Sequence, residues 1–143
     1  MPSGVLVRPD QPTIVFVTAC LQKRRNQLAN PEAHQLLLAA WSKASAWCVG
    51  RYMIMPDHVH LFTAPRDMNF SIEAWTRFWK SIFSQSHQHA DWSWQTGAFH
   101  HRIRDAIVYQ EKLDYVRQNP ARAGLVVTPD AWPYQGELHP LIW

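Results

Sequence analysis

Apolar and polar positions alternate in two different rhythms along this chain, and the switches between them predict its elements. Residues 13 to 20, TIVFVTAC, are β-branched or aromatic almost throughout, follow Pro9 and Pro12, and predict a strand. A basic loop with Lys23, Arg24 and Arg25 follows. Asn30-Pro31-Glu32 has the order of an N-cap, a first-turn proline and an early acid. It opens a helical pattern through Leu36, Leu37, Ala40 and Trp41 to about Trp47, with Gly50 as the stop.

From Arg51 to Ala64 two short apolar strands are broken by Pro56-Asp57, which predicts a hairpin-like pair or a kinked strand. Asn69 or Ser71 then caps a helix whose Ile72, Trp75, Phe78, Trp79, Ile82 and Phe83 recur at three- and four-residue steps. A Trp-rich loop around Trp92 and Trp94 leads to a short strand near Ala98 to His101. Asp105 caps a last helix through Ile107, Val108, Lys112, Tyr115 and Val116, with Tyr109 in the core and Asn119-Pro120 as terminator. The order β, α, β, β, α, short β, α predicts an α+β fold, an antiparallel sheet with helices packed on it.

Composition narrows the class. A chain of 143 residues holds about one domain, so residues 1–143 are expected to form a single unit. Charged residues make up 17%, below the roughly 25% usual for soluble domains, and aromatics 13% with eight Trp, which argues against disorder. The formal charge is +3, and ten of the fourteen cations are Arg. Arginine suits phosphates and bases, so a nucleic-acid partner is compatible with this balance, as is a slightly cationic soluble enzyme. Cys20 and Cys48 form no CxxC pair and read as reduced thiols. No signal-peptide pattern opens the chain and no apolar run approaches the ~20 residues of a membrane span. A soluble, cytoplasmic protein is expected.

Two constellations carry candidate chemistry. His58 and His60 are two apart in a predicted strand, so both imidazoles leave one face and can converge on one divalent metal while Val59 enters the core. Taken alone, such a pair also fits a solvated sheet face. His87 and His89 have the same spacing at the end of a predicted helix, where positions two apart differ by about 200° and face apart. Adjacent His100 and His101 point to opposite faces of a strand and read as surface residues. Tyr115 and Asn119 lie four apart on one helix, about 40° of rotation, and share an edge. Alone, a Tyr at the core margin and an Asn before Pro are ordinary helix-end chemistry.

Together, MPDHVHLF, WQTGAFHHRI and YVRQNPARAGLV in this order resemble the single-tyrosine HUH transposases of small bacterial insertion sequences, especially their REP-associated relatives. The resemblance runs from about Thr13 to Tyr134 and implies a ferredoxin-like HUH endonuclease arrangement. It also implies that His58 and His60 bind a divalent metal, Mg2+ or Mn2+, that Asn119 or, as fallback, Gln118 is the third ligand, and that Tyr115 is the nucleophile. The implied activity is cleavage and rejoining of single-stranded DNA through a 5′-phosphotyrosine, at hairpin-flanked sites. Members form dimers or act as monomers, so a homodimer is possible. Where REP-associated members carry a Gly-Thr segment before the first strand, this chain reads PDQPT.

The cations fall where a strand-binding surface would use them. Lys23, Arg24, Arg25, Arg77, Lys80, Arg102, Arg104, Arg117 and Arg122 are candidate phosphate contacts, and Trp92 and Trp94 candidate base-stacking rings. Trp75 and Trp79 follow core spacing. A catalytically silent nucleic-acid-binding module of the same fold is the first rival, and a hydrolase using the histidine pair and water the second.

Overall fold

The computed structural model describes residues 13–24 and 27–143; Arg25 and most of the PDQPT stretch lie outside them. The elements are β1 (Ile14–Cys20), α1 (Pro31–Lys43), β2 (Trp47–Met55), β3 (His58–Pro65), α2 (Ile72–Gln85), β4 (Phe99–Ile103), α3 (Ala106–Arg117), α4 (Asn119–Arg122) and β5 (Gln135–Glu137). Every strand pairing is antiparallel, and the sheet order is β4-β1-β3-β2-β5. The path from β1 to β4 is the β-α-β-β-α-β ferredoxin-like arrangement, so the α+β expectation holds. Among the described residues no helix is long and apolar enough to cross a membrane.

Strand alternation gives the sheet two faces. Val15, Val17, Ala19, Ile54, Val59 and Leu61 point to one, where they are buried against Leu37 and Trp41 of α1 and Trp75, Trp79 and Phe83 of α2. Ile14, Phe16, Met53, Met55, Phe62 and Ile103 point to the other, with Tyr109 and Val116 of α3 and Trp132. The register of β2 against β3 shifts between Val49 and Tyr52, so both residues reach the α1/α2 side although three apart.

The caps follow the predicted chemistry. Asn30 Oδ1 accepts from Ala33 N, Ser71 Oγ from Ala74 N and Asp105 Oδ1 from Val108 N, so Ser71 rather than Asn69 caps α2. α1 is shorter than the spacing predicts: it ends at Lys43 and Trp47 already belongs to β2, although Trp41, Ala44 and Trp47 continue three-residue helical steps across the break. Gly50 lies inside β2, where an added Cβ would meet the Leu141 side chain. In α2 the buried set is Ile72, Trp75, Thr76, Trp79, Lys80 and Phe83, whereas Phe78 is exposed.

Two further corrections concern the end of the chain. Asn119-Pro120 does not end the helical path; after Gln118 it opens α4, whose first turn accepts a proline because no N–H is needed there. Gly124, at φ +74°, follows α4. β5 reads Gln-Gly-Glu, without a β-branched or aromatic residue to announce it, and pairs with β2 at Arg51 to Met53.

Candidate active site

Both histidines stand on the face that α3 partly covers. β2 and β3 are joined only by Pro56 and Asp57, so His58 opens β3, opposite Cys20 on β1 and Met55 on β2; His60 lies opposite Thr18 and Met53. Val59 between them is fully buried on the other face. Their Nε2 atoms are 3.2 Å apart. Each ring is held by its other nitrogen: His58 Nδ1 is 2.7 Å from Asp57 Oδ1, and His60 Nδ1 is 2.8 Å from Thr18 Oγ1.

A carboxylate can only accept, so His58 Nδ1 carries a proton, and in the neutral ring Nε2 keeps its lone pair. Asp57 is itself held, its Oδ2 accepting from Arg24 Nε at 2.8 Å. Burial would raise the Asp57 carboxyl, but hydrogen bonds from Arg24 and His58 bring it below the usual carboxylate value. His60 is pushed down to about 3 by burial first, then by the charges of His58, Lys112 and Arg122, so its ring is neutral across the physiological range.

These residues fit a divalent ion. Adjacent ligands of an octahedral ion at about 2.1 Å lie about 3.0 Å from one another, close to the 3.2 Å between the two Nε2 atoms. The backing of each imidazole by Asp57 or Thr18 is the support that metal-binding histidines require. Among the described residues no group of three His, Cys, Asp or Glu side chains could hold a metal, so a third protein ligand would be of another type. Asn119 is half-buried at the start of α4, and Gln118, the residue between α3 and α4, is exposed.

Tyr115 is on the last turn of α3 and 61% exposed. The Arg122 guanidinium lies 3.9 Å from its ring centroid, and Lys112 Nζ lies 5.9 Å from it on the helix that both share. The same Nζ is 5.0 Å from the Phe16 ring, which in turn stacks on His60 at 5.2 Å. A line of contacts therefore runs His60, Phe16, Lys112, Tyr115, Arg122. Beside it is a shallow recess lined by Val108, Glu111, Lys112 and Tyr115. Lys112 was not among the predicted site residues. The signal was present in its three-residue offset from Tyr115, which puts both on one helix face.

Several predicted nucleic-acid contacts are engaged elsewhere. Trp92 and Trp94 are 4% and 8% exposed and pack on Phe83 and Trp79, so they belong to the core and offer no ring to a base. Lys80 is buried and donates to the carbonyls of Gln95 and Gly97, so it is a structural cation. Arg77 is exposed on α2, the layer across the sheet from the histidines. Arg102 pairs in register with Val15 and therefore points to that same far side. Lys23 bridges Asp91 at 3.1 Å, Arg24 backs Asp57, and Arg117 makes a bidentate pair with Asp130 at 3.0 and 2.9 Å. Arg104 is exposed just after β4, and Arg122 covers Tyr115.

The other histidines are also placed. α2 ends at Gln85, before His87 and His89, whose rings pack on Trp92. His100 is half-buried against Thr76 of α2, its Nε2 3.2 Å from the hydroxyl, whereas His101 is exposed on the opposite face.

The chain is similar to known proteins in sequence and, in one solved structure, in fold. The chain is 29% identical over 126 residues to a REP-associated tyrosine transposase of Escherichia coli (strain K12), covering 83% of this chain and 73% of that protein. It is 30% identical over 110 residues to a putative REP-associated tyrosine transposase of Haemophilus influenzae, covering 63% of this chain and 62% of that protein. A solved structure of a REP-associated tyrosine transposase bound to a REP hairpin matches its fold with a TM-score of 0.77 at 24% identity, over 93% of this chain and 81% of the other. No protein-family model matches the chain.

Proposed function

For a chain that is a relative of the REP-associated tyrosine transposases, we propose a DNA transposase that cleaves and rejoins single strands at hairpin-flanked sites, with Tyr115 as nucleophile. The observation that carries this reading is the pair of Nε2 atoms 3.2 Å apart, joined through Phe16 and Lys112 to an exposed phenol.

His58 and His60, with Asn119 or Gln118, would hold Mg2+ or Mn2+. Once bound, such an ion polarises a phosphoryl oxygen. Tyr115 Oη attacks the phosphorus, the bond to the 3′-oxygen breaks, and the 5′-phosphate remains on the tyrosine. The phenolic proton passes to solvent and the departing 3′-oxygen takes one up. A later 3′-hydroxyl reverses the exchange and rejoins the strand. Lys112 and Arg122, both against the phenol, are placed to offset negative charge as the phosphoryl group is transferred. Arg24 acts at one remove, by fixing Asp57 and through it His58.

The test is incubation with a labelled single-stranded hairpin and Mn2+, followed by a denaturing gel. DNA covalently attached to protein, absent in Tyr115→Phe, is the expected result. Cleavage without attachment would point to hydrolysis by water, and binding without cleavage to a silent DNA-binding module; either outcome overturns the proposal.

A further inference from the structure

We propose that Phe99 and His101 form a stacking subsite for an unpaired nucleobase next to the phosphate handled at the histidine pair. The inference rests on the reading that a DNA single strand crosses this face, and it names where the neighbouring base goes.

Alternation along β4 carries the first step. His100 and Arg102 point to the side of α1 and α2, where His100 meets Thr76. Phe99, His101 and Ile103 point to the side of the active-site histidines. Ile103 is fully buried there, but Phe99 is 60% exposed and His101 is exposed too. Their rings are 6.4 Å apart with only 16° between planes. The sheet thus offers water two nearly parallel aromatic faces.

Register carries the second step. Phe99 lies opposite Thr18, and Thr18 opposite His60, so Phe99 and His60 occupy one cross-strand row. Two strand spacings separate them, about 9.5 Å. His101 lies opposite Phe16, the ring that stacks on His60 and underlies Lys112 Nζ. A backbone held near His60 by Lys112 and Arg122 therefore passes over β1 before its next bases reach β4. Charge complementarity favours a nucleic acid over an apolar peptide, with Lys112 and Arg122 on one side and exposed Arg104 just beyond β4. Exposed aromatics on sheet faces stack bases with little sequence preference, because every base has a π-face.

The probe is a set of single-stranded oligodeoxynucleotides with 2-aminopurine at each position in turn, bound to the full chain carrying Tyr115→Phe so that no strand is consumed. Quenching confined to one or two adjacent positions is expected. Adding Phe99→Ala should remove that quenching and weaken binding roughly tenfold, while adding Phe99→Trp preserves both. The dependence of affinity on salt should not change in Phe99→Ala, since no phosphate contact is lost. Unchanged thermal unfolding of that exposed-site variant checks that the fold is intact. Quenching at no position, or quenching and affinity that survive Phe99→Ala, overturns the subsite. If the chain with Tyr115 intact forms no covalent adduct yet the quenching pattern is present, the nuclease reading falls and the subsite stands. If no oligonucleotide binds, both fall.

Discussion

Thr18 Oγ1 lies 2.8 Å from His60 Nδ1, so strand β1 sets the orientation of a side chain on its neighbour β3, the central strand of the sheet. A hydroxyl that accepts from Nδ1–H leaves Nε2 bare toward His58. Thr18→Val keeps the shape and removes the acceptor. The Mn2+ concentration needed for half-maximal cleavage should rise roughly 10–100-fold, with Thr18→Ser close to the parent. An unchanged metal requirement in Thr18→Val would show that the hydroxyl does not hold the ring.

Comparing two neighbours decides which of them is the proposed amide ligand. Asn119 is half-buried at the start of α4 whereas Gln118 is exposed between the helices. Asn119→Ala should raise the Mn2+ requirement roughly tenfold or more, and Gln118→Ala should leave it near the parent value. The reverse ranking in a metal titration of cleavage would move the third ligand to Gln118.

Lys112 links the two halves of the site, since its Nζ faces both Phe16 and Tyr115. Lys112→Met retains the stem and removes the charge. Single-turnover cleavage should slow roughly 100-fold, with a smaller loss of oligonucleotide affinity and partial rescue by Lys112→Arg. Equal losses in rate and affinity would make Lys112 a binding residue only.

Lys80 separates structural cations from DNA-facing ones. Lys80→Met leaves the Gln95 and Gly97 carbonyls without their donor and should cost about 1–3 kcal/mol in denaturant unfolding. Single-strand affinity and its salt dependence should not move. A shallower salt dependence in this variant would return Lys80 to the DNA surface.

Much of the architecture could be read from spacing because caps and alternation are local. Asn30, Ser71 and Asp105 each cap the helix that their side chain and the following residues announce. The histidine pair was legible for the same reason, since two residues along a strand necessarily share a face. Whether a cation or an indole is free depends on distant partners. Trp92 and Trp94 read as loop residues but lie under Phe83 and Trp79, contributed by a helix earlier in the chain. Arg102 faces away from the histidines, which only the register against Val15 reveals. Lys112 and Phe99 gain their interest from neighbours on β1, remote in sequence from both.

The helix that bears Tyr115 is moored at both ends. Asp105 caps its start directly after β4, and Arg117 at its end grips Asp130, two residues before Trp132, whose indole donates to the Ile54 carbonyl of β2. A DNA strand joined to Tyr115 would therefore pull on the sheet through two routes, β4 on one edge and β2 on the far side of the centre. Tension on such a strand would be shared between them.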